Sequence, residues 1–109
     1  MRLTNDFDKI LGFAARSGNL SFGFTAVESD LKKHRIYLLL MDCNVSDNTA
    51  EKLVNLSREV PVLKMSPEGR LGRVTGKQNN LICGIRDKGF AERLKQLADN
   101  DAEITEVRH

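Results

Sequence analysis

The sequence is poor in the residues that define several large protein classes. Its 109 residues include two cysteines, Cys43 and Cys83, which are too few and too far apart for a disulfide framework or a zinc site. The longest unbroken apolar run, 36–41, has six residues, whereas a membrane-spanning helix needs about 20. The first six residues contain no apolar signal core. We therefore expect a cytoplasmic protein with reduced thiols and no membrane contact.

The remaining composition is that of a folded globular chain. Hydrophobic residues make up 40% and charged residues 29%, with 8 glycines and 2 prolines, a mixture that excludes disordered and collagen-like chains. No internal repeat or linker divides the sequence. We expect a single domain over residues 1–109, in which residues 100–109 form a polar, flexible tail.

Apolar periodicity and capping residues predict helices that alternate with short strands. The predicted strands are 20–22, 36–41, 62–65 and 81–85, and the run at 36–41 is typical of a central strand covered on both faces. The residues expected to start the five helices are Thr4 or Asn5, Gly23, Ser46 or Asn48, Ser66, and Asp87. This order of elements predicts an α/β protein, a three-layer α/β/α sandwich around a four-stranded sheet.

Nine apolar side chains lie on the faces that this arrangement turns inward, and we expect them to be mostly buried. They are Val27, Leu38, Leu40, Leu53, Val54, Ile82, Ile85, Phe90 and Leu94.

Enzyme chemistry finds little support in the sequence. Asp42 follows the predicted central strand, where α/β proteins bind ligands, but a phosphoacceptor site would also need an acidic pair after the first strand. The residues after that strand include no acid until Glu28, so Asp42 is expected to start a turn instead. Cys43 has no histidine at useful spacing, and phosphate-binding and metal motifs are missing. We expect no catalysis, no cofactor and no metal.

Charge is distributed unevenly along the chain. Residues 61–95 carry 8 Lys/Arg against 3 Asp/Glu, and residues 96–109 carry 1 against 4. A basic segment of this kind is compatible with a polyanionic partner, or with charges spread over solvated faces. A helix starting at Gly23 presents free backbone amides to phosphates, and the polar loop at 77–80 carries side chains suited to phosphates and base edges. Ordinary capping and turn chemistry accounts for both stretches equally well.

The chain resembles the YlxQ-type branch of the kink-turn RNA-binding ribosomal protein superfamily, which includes archaeal ribosomal protein seven-A and eukaryotic large-subunit protein thirty. The matching residues are spread in order over 9–18, Gly23, 38–42, 46–49, 71–77 and 85–91. The resemblance implies a four-stranded mixed sheet within the α/β/α sandwich. It also implies a non-enzymatic role in binding structured RNA of the translation machinery, most often at a kink-turn.

The resemblance implies an RNA surface at the start of the second helix and in the loop before the last strand. The family pattern there is Gly, any residue, Asn, Glu, two residues and Lys; in this chain Gly23 is retained, while Thr25, Ala26 and Ser29 replace the other three. The family fold also implies that Lys32, Lys33, Arg73 and Lys77 share one side. The candidate RNA-binding residues are Gly23, Phe24, Thr25, Ala26, Ser29, Lys32, Lys33, Arg73, Lys77, Gln78, Asn79 and Asn80.

Thr25 can donate one hydrogen bond to a base and Ala26 none, so phosphate contacts are expected to dominate binding. The alternative is a protein-protein interaction module on the same fold that has lost RNA binding. We expect a monomer in either case.

Overall fold

The computed structural model describes residues 5–107, which contain five helices and five strands. The helices are α1 (Asp6–Arg16), α2 (Phe24–Lys32), α3 (Asp47–Ser57), α4 (Arg70–Thr75) and α5 (Lys88–Ala98). The strands are β1 (Leu20–Phe22), β2 (Leu38–Asp42), β3 (Val62–Met65), β4 (Ile82–Ile85) and β5 (Ile104–Val107).

The strands form one mixed sheet in the order β1-β4-β2-β3-β5. Only the β2–β3 pair is parallel among these strands; β1–β4, β4–β2 and β3–β5 are antiparallel. The apolar run predicted as a central strand does supply the middle strand, β2, although Ile36 and Tyr37 precede it rather than belong to it.

Successive side chains of β2 point to opposite faces of the sheet, and each face has its own apolar core. Leu38 and Leu40 join a core with α1, α4 and α5, while Leu39 and Met41 join a core with α2 and α3. Helices therefore cover both faces of the sheet. Of the nine side chains predicted to be inside, seven are buried and two, Val54 and Phe90, are half-buried, which confirms the predicted layers.

The prediction of four strands is wrong, because the segment expected to form a polar tail contains a fifth strand, β5. Met65 pairs with Ile104 and Val62 with Val107 in an antiparallel ladder on the outer edge of β3. Only Ile104 in this strand is buried, so an edge strand of this kind carries almost no apolar pattern. Its pairing depends on the free edge of β3, which no local pattern in the sequence indicates. Residues 108 and 109 lie outside the described part of the chain.

Three of the predicted helix starts are confirmed by side-chain caps. Asn5 accepts a hydrogen bond from the Asp8 N–H at 3.1 Å, Ser46 from the Thr49 N–H, and Asp87 from the Phe90 N–H. Thr4, the alternative to Asn5, lies outside the described residues.

The predicted start of α4 at Ser66 is wrong. The Arg70 N–H donates to the Pro67 carbonyl and Gly69 occupies the N-cap position, so the segment before Arg70 forms a turn instead of a first helical turn. The start of α4 is fixed by tertiary contacts of Gly69 and Arg70.

The Arg70 guanidinium is buried, with 3% of the side chain exposed, and two carboxylates pair with it. It lies 2.7 Å from Asp101 and 2.9 Å from Asp8, donates to the Ser66 carbonyl, and lies over the ring of Phe7. Burial by itself would lower the pKa of Arg70, but the hydrogen bonds and charges of Asp101 and Asp8 outweigh burial and raise it. The group ties the starts of α1 and α4 to the turn before β5.

Replacing Arg70 should destabilise the protein strongly. In Arg70→Met the two carboxylates lose their common cation, and removing one partner of a buried ion pair costs about 3 kcal/mol or more in the free energy of unfolding. Arg73→Met on the exposed side of α4 is the matched control, with an expected change within about 0.5 kcal/mol. Urea unfolding followed by circular dichroism measures both, and equal stability of the two variants would contradict the assignment.

The same cluster should make stability depend on acid pH. Hydrogen bonding from Arg70 holds the pKa of Asp101 below its ordinary value. A lowered native pKa stabilises the fold above the unfolded value of about 3.9, and this contribution is lost as the pH falls through the native pKa. The melting temperature of the wild type should therefore fall more steeply below about pH 4 than that of Asp101→Asn.

Candidate nucleic-acid interface

The start of α2 and the 77–80 loop lie together at one end of the sheet. Phe22, the last residue of β1, pairs with Cys83 near the start of β4. The next residue, Gly23, donates its N–H to the carbonyl of Ile82 at 3.1 Å. The antiparallel β1–β4 pair therefore places the first turn of α2 beside the loop that leads into β4.

The N-terminus of α2 has no side-chain cap. Gly23 has φ 86° and ψ 163° at the N-cap position, a backbone conformation that glycine adopts without strain. The first amides of a helix have no partner within the helix, so the N–H groups of Phe24, Thr25 and Ala26 are available at this end. Thr25 and Ala26 are exposed and Ser29 is half-buried, whereas Phe24 is half-buried and packs against the core.

The 77–80 loop is a tight turn that packs against α4. The Asn80 N–H donates to the Lys77 carbonyl at 3.0 Å, and Asn79 has a φ of 65°, which asparagine tolerates better than most residues. A Cβ on Gly72 would lie 2.9 Å from the Lys77 carbonyl oxygen, so this approach of loop to helix requires glycine. No local pattern in the sequence indicates this contact, because Gly72 and Lys77 come together only when the loop folds back on α4.

Two exposed cations border the interface. The Lys77 ammonium lies 5.3 Å from the centre of the Phe22 ring, a cation–π contact that holds it beside Gly23. Arg73 is exposed on α4. Arg70 lies on the same helix as Arg73, but its side chain is buried in ion pairs and does not contribute to the surface.

The three polar side chains of the loop differ in exposure. Gln78 and Asn79 are exposed, and Asn80 is half-buried. The Asn80 Oδ1 accepts from the Ile82 N–H at 3.4 Å, while its Nδ2 is the one buried side-chain donor without a partner in residues 5–107. A buried donor without a partner costs about 1–3 kcal/mol, so a ligand acceptor that reached this atom would be stabilising.

Lys32 and Lys33 lie at the other end of the sheet from Gly23. Both β1 and β2 run antiparallel to β4 and so run in the same direction. Gly23 follows the end of β1, whereas Lys32 and Lys33 come shortly before the start of β2. The nine residues of α2 span about 13 Å at 1.5 Å per residue. The expectation that these lysines share one side with Arg73 and Lys77 is therefore not met.

Asp42 and the cysteines have structural contacts instead of catalytic partners. Asp42 is buried and accepts hydrogen bonds from the N–H groups of Asn44 and Gly69, both at 3.0 Å. It therefore starts the turn after β2, as predicted, and also fixes the turn before α4. Cys83 is buried, which raises the pKa of its thiol, and Cys43 is half-buried.

Residues 5–107 contain neither a cluster of metal ligands nor a membrane-spanning helix. No group of three or more His, Cys, Asp or Glu side chains is placed to hold a metal ion within that range. None of the helices in the same range combines the length and apolarity of a membrane span.

The chain is similar to a named bacterial protein and to proteins of known structure. The chain is 32% identical over 92 residues to the RNA-binding protein YlxQ of Bacillus subtilis (strain 168), an alignment covering 83% of this chain and 92% of that protein. A solved structure of a protein with unknown function from Bacillus halodurans C matches with a TM-score of 0.83 and 28% identity, covering 88% of this chain and 99% of that one. No protein-family model matches the chain.

Asp42 should not accept a phosphoryl group. Its carboxylate is buried and both of its oxygens already accept backbone hydrogen bonds. Incubation with acetyl phosphate and Mg²⁺ should leave the intact mass unchanged. An acyl-phosphate mapped to Asp42 by mass spectrometry, and lost in Asp42→Asn, would contradict this.

Proposed function

The chain belongs to the YlxQ family, and we propose that it binds structured RNA of the translation machinery without catalysing a reaction. RNA binding is carried over from the name of the Bacillus subtilis relative. The contact surface is the first turn of α2 together with the 77–80 loop, with Arg73 and Lys77 as its cations.

The proposal depends on one observation. The hydrogen bond from the Gly23 N–H to the Ile82 carbonyl holds the start of α2 beside the 77–80 loop. Unpaired amides at a helix N-terminus and the helix dipole both favour phosphate oxygens. Lys77 adds a positive charge beside Gly23, and Arg73 adds another on α4, the helix against which the 77–80 loop packs. Phosphate contacts from backbone and cations position a protein on RNA, while base edges supply sequence information.

Base reading at this surface is weaker than in the kink-turn family. Thr25 offers one hydroxyl and Ala26 no polar group at the two positions where the family pattern has Asn and Glu. Each good base contact contributes about 1–3 kcal/mol of discrimination. We therefore expect binding through the RNA backbone with little preference for a kink-turn; Gln78 and Asn79 are the polar side chains left to reach base edges.

The alternative, a protein-interaction module, requires an exposed apolar patch at the same surface. Within residues 5–107 the large hydrophobic side chains that are exposed are Phe13 and Tyr37. Neither belongs to α2 or the 77–80 loop, and Phe24 packs on the core. The polar and basic character of the surface favours RNA.

Binding should weaken with salt in proportion to the phosphates neutralised. With ~3–4 phosphates contacted, the slope of log affinity against log salt should be about −2 to −4. The double variant Arg73→Ala and Lys77→Ala should weaken binding to all RNAs similarly and reduce the magnitude of the slope by about 1–2. Fluorescence anisotropy with a labelled hairpin from 50 to 300 mM KCl measures both quantities.

The matched control removes the same charge elsewhere. Arg93 and Lys95 are exposed on α5, which takes part neither in the Gly23–Ile82 hydrogen bond nor in the packing of the 77–80 loop on Gly72. Replacing both by alanine should therefore leave the slope within about 0.5 of the wild type. If the wild type binds neither a kink-turn nor a duplex at 50 mM KCl, the RNA proposal fails. If the two double variants lose RNA affinity equally, the surface does not lie where we propose.

Restoring the family pattern should restore base reading. Thr25 and Ala26 are exposed and Ser29 is half-buried, so Thr25→Asn, Ala26→Glu and Ser29→Lys can be combined with little effect on packing. The triple variant should bind a kink-turn at least tenfold more tightly than a matched duplex, since two base contacts are regained. Wild type should bind the two RNAs within about threefold of each other. A triple variant that shows no preference would contradict the role of this helix start.

A further inference from the structure

The end of the sheet opposite the α2 N-terminus carries a basic cleft of about 260 Å³. Its lining comes from the α1–β1 turn, the α2–β2 turn and the residue after β4, namely Gly18, Asn19, His34, Arg35, Tyr37 and Arg86. None of these belongs to the surface proposed above.

The sheet itself aligns the lining residues. The Tyr37 N–H donates to the Ile85 carbonyl at 2.9 Å, and the Arg86 N–H donates to the Asn19 carbonyl at 2.8 Å. Tyr37, Arg86 and Asn19 therefore stand side by side where three neighbouring strands begin or end. Because these are backbone hydrogen bonds, the cleft is held in place whether or not a ligand is bound.

The charge of the cleft is positive. Arg35 and Arg86 line the cleft, and Lys32 and Lys33 come shortly before Arg35 in a stretch, 32–35, that contains no acid. Asp30 forms an ion pair with Arg86, at 3.7 Å from its Nε, and it also accepts a hydrogen bond from the Ser21 hydroxyl. Glu28 pairs with Lys32 at 3.7 Å. The Arg35 side chain is exposed and forms no ion pair or hydrogen bond with another of residues 5–107.

An exposed aromatic ring lies within this positive surface. Tyr37 is 44% exposed and is the only tyrosine in the chain, whereas Phe13, the other exposed aromatic, packs edge-on against Phe90. Aromatic rings next to arginines are the means by which proteins hold unpaired bases, because the ring stacks on the base while the cations contact flanking phosphates.

The geometry points to a second RNA contact here: Tyr37 stacks on an unpaired base, and Arg35 and Arg86 bind the adjoining phosphates. The ligand class is single-stranded RNA, and its identity as RNA rests on the proposed function. An acidic peptide would satisfy the arginines but would leave the exposed ring without a stacking partner. The two RNA contacts lie at opposite ends of the sheet, so one protein could join a structured element to an adjacent single strand.

Tyrosine fluorescence tests this contact directly, because the chain has one tyrosine and no tryptophan. Titration of the protein with an adenosine octamer RNA should quench Tyr37 emission, after correction for RNA absorption with free tyrosine. Tripolyphosphate and an octaglutamate peptide serve as phosphate-only and acidic-peptide probes, and neither should quench comparably. The Arg73→Ala, Lys77→Ala double variant should retain the quenching.

Affinity measurements with a dye-labelled octamer separate stacking from charge. Tyr37→Ala should weaken binding about tenfold, Tyr37→Phe should stay within twofold because its ring still stacks, and Arg35→Ala should weaken it several-fold. Arg93→Ala on α5 is the control and should stay within twofold. Circular dichroism of each variant confirms folding, and the wild-type quenching supports the assignment even where Tyr37→Ala fails to fold.

Each remaining outcome overturns the inference. If the protein binds structured RNA but the octamer leaves Tyr37 emission unchanged, the second contact is absent and the proposed function stands. Equal binding by Tyr37→Ala and wild type would show a phosphate-only surface. Quenching by octaglutamate that matches that of RNA would assign the cleft to an acidic protein segment. If no RNA binds at all, the proposed function and this inference fail together.

Discussion

Strand β2 lies in the middle of the sheet with every side chain buried, so helices have to cover the sheet on both sides. The loops that connect strands and helices therefore lie at the two ends of the sheet. At one end β1, β2 and β3 finish and β4 begins; at the other, β2 starts and β4 finishes. Both proposed RNA contacts lie at these ends because the faces of the sheet are occupied by packing.

Two arginines of the same helix, α4, have different roles, although they are the same residue type. Arg70 is buried between Asp8 and Asp101 and fixes the position of α4, whereas Arg73, one turn further, is exposed. Since Gly72 lies between them and receives the 77–80 loop, the buried ion pairs also fix the loop indirectly. A buried cation with two carboxylates thus supports a surface to which it does not belong.

The two proposed contacts would hold different parts of an RNA. The α2 end offers backbone amides and two cations to phosphates, with few side chains for base edges. The opposite end offers an exposed ring and arginines, which suit an unpaired nucleotide. With phosphate contacts at one end of the sheet and base stacking at the other, the protein would bind RNA without the Asn and Glu that its superfamily uses at a kink-turn.

The sequence by itself determined the strands β1 to β4, most helix starts and the inward-facing side chains, because burial on both faces and local capping leave patterns within a few residues. Tertiary structure alone decided β5, since Ile104 gains its partner only from the free edge of β3. It also decided that Arg70 is buried and that Lys32 and Lys33 lie away from Gly23. The sequence likewise does not predict the cleft at Tyr37, because its residues come from three separate turns that only strand pairing brings together. Long-range pairing and charge compensation depend on neighbours distant in the chain, and no local pattern records them.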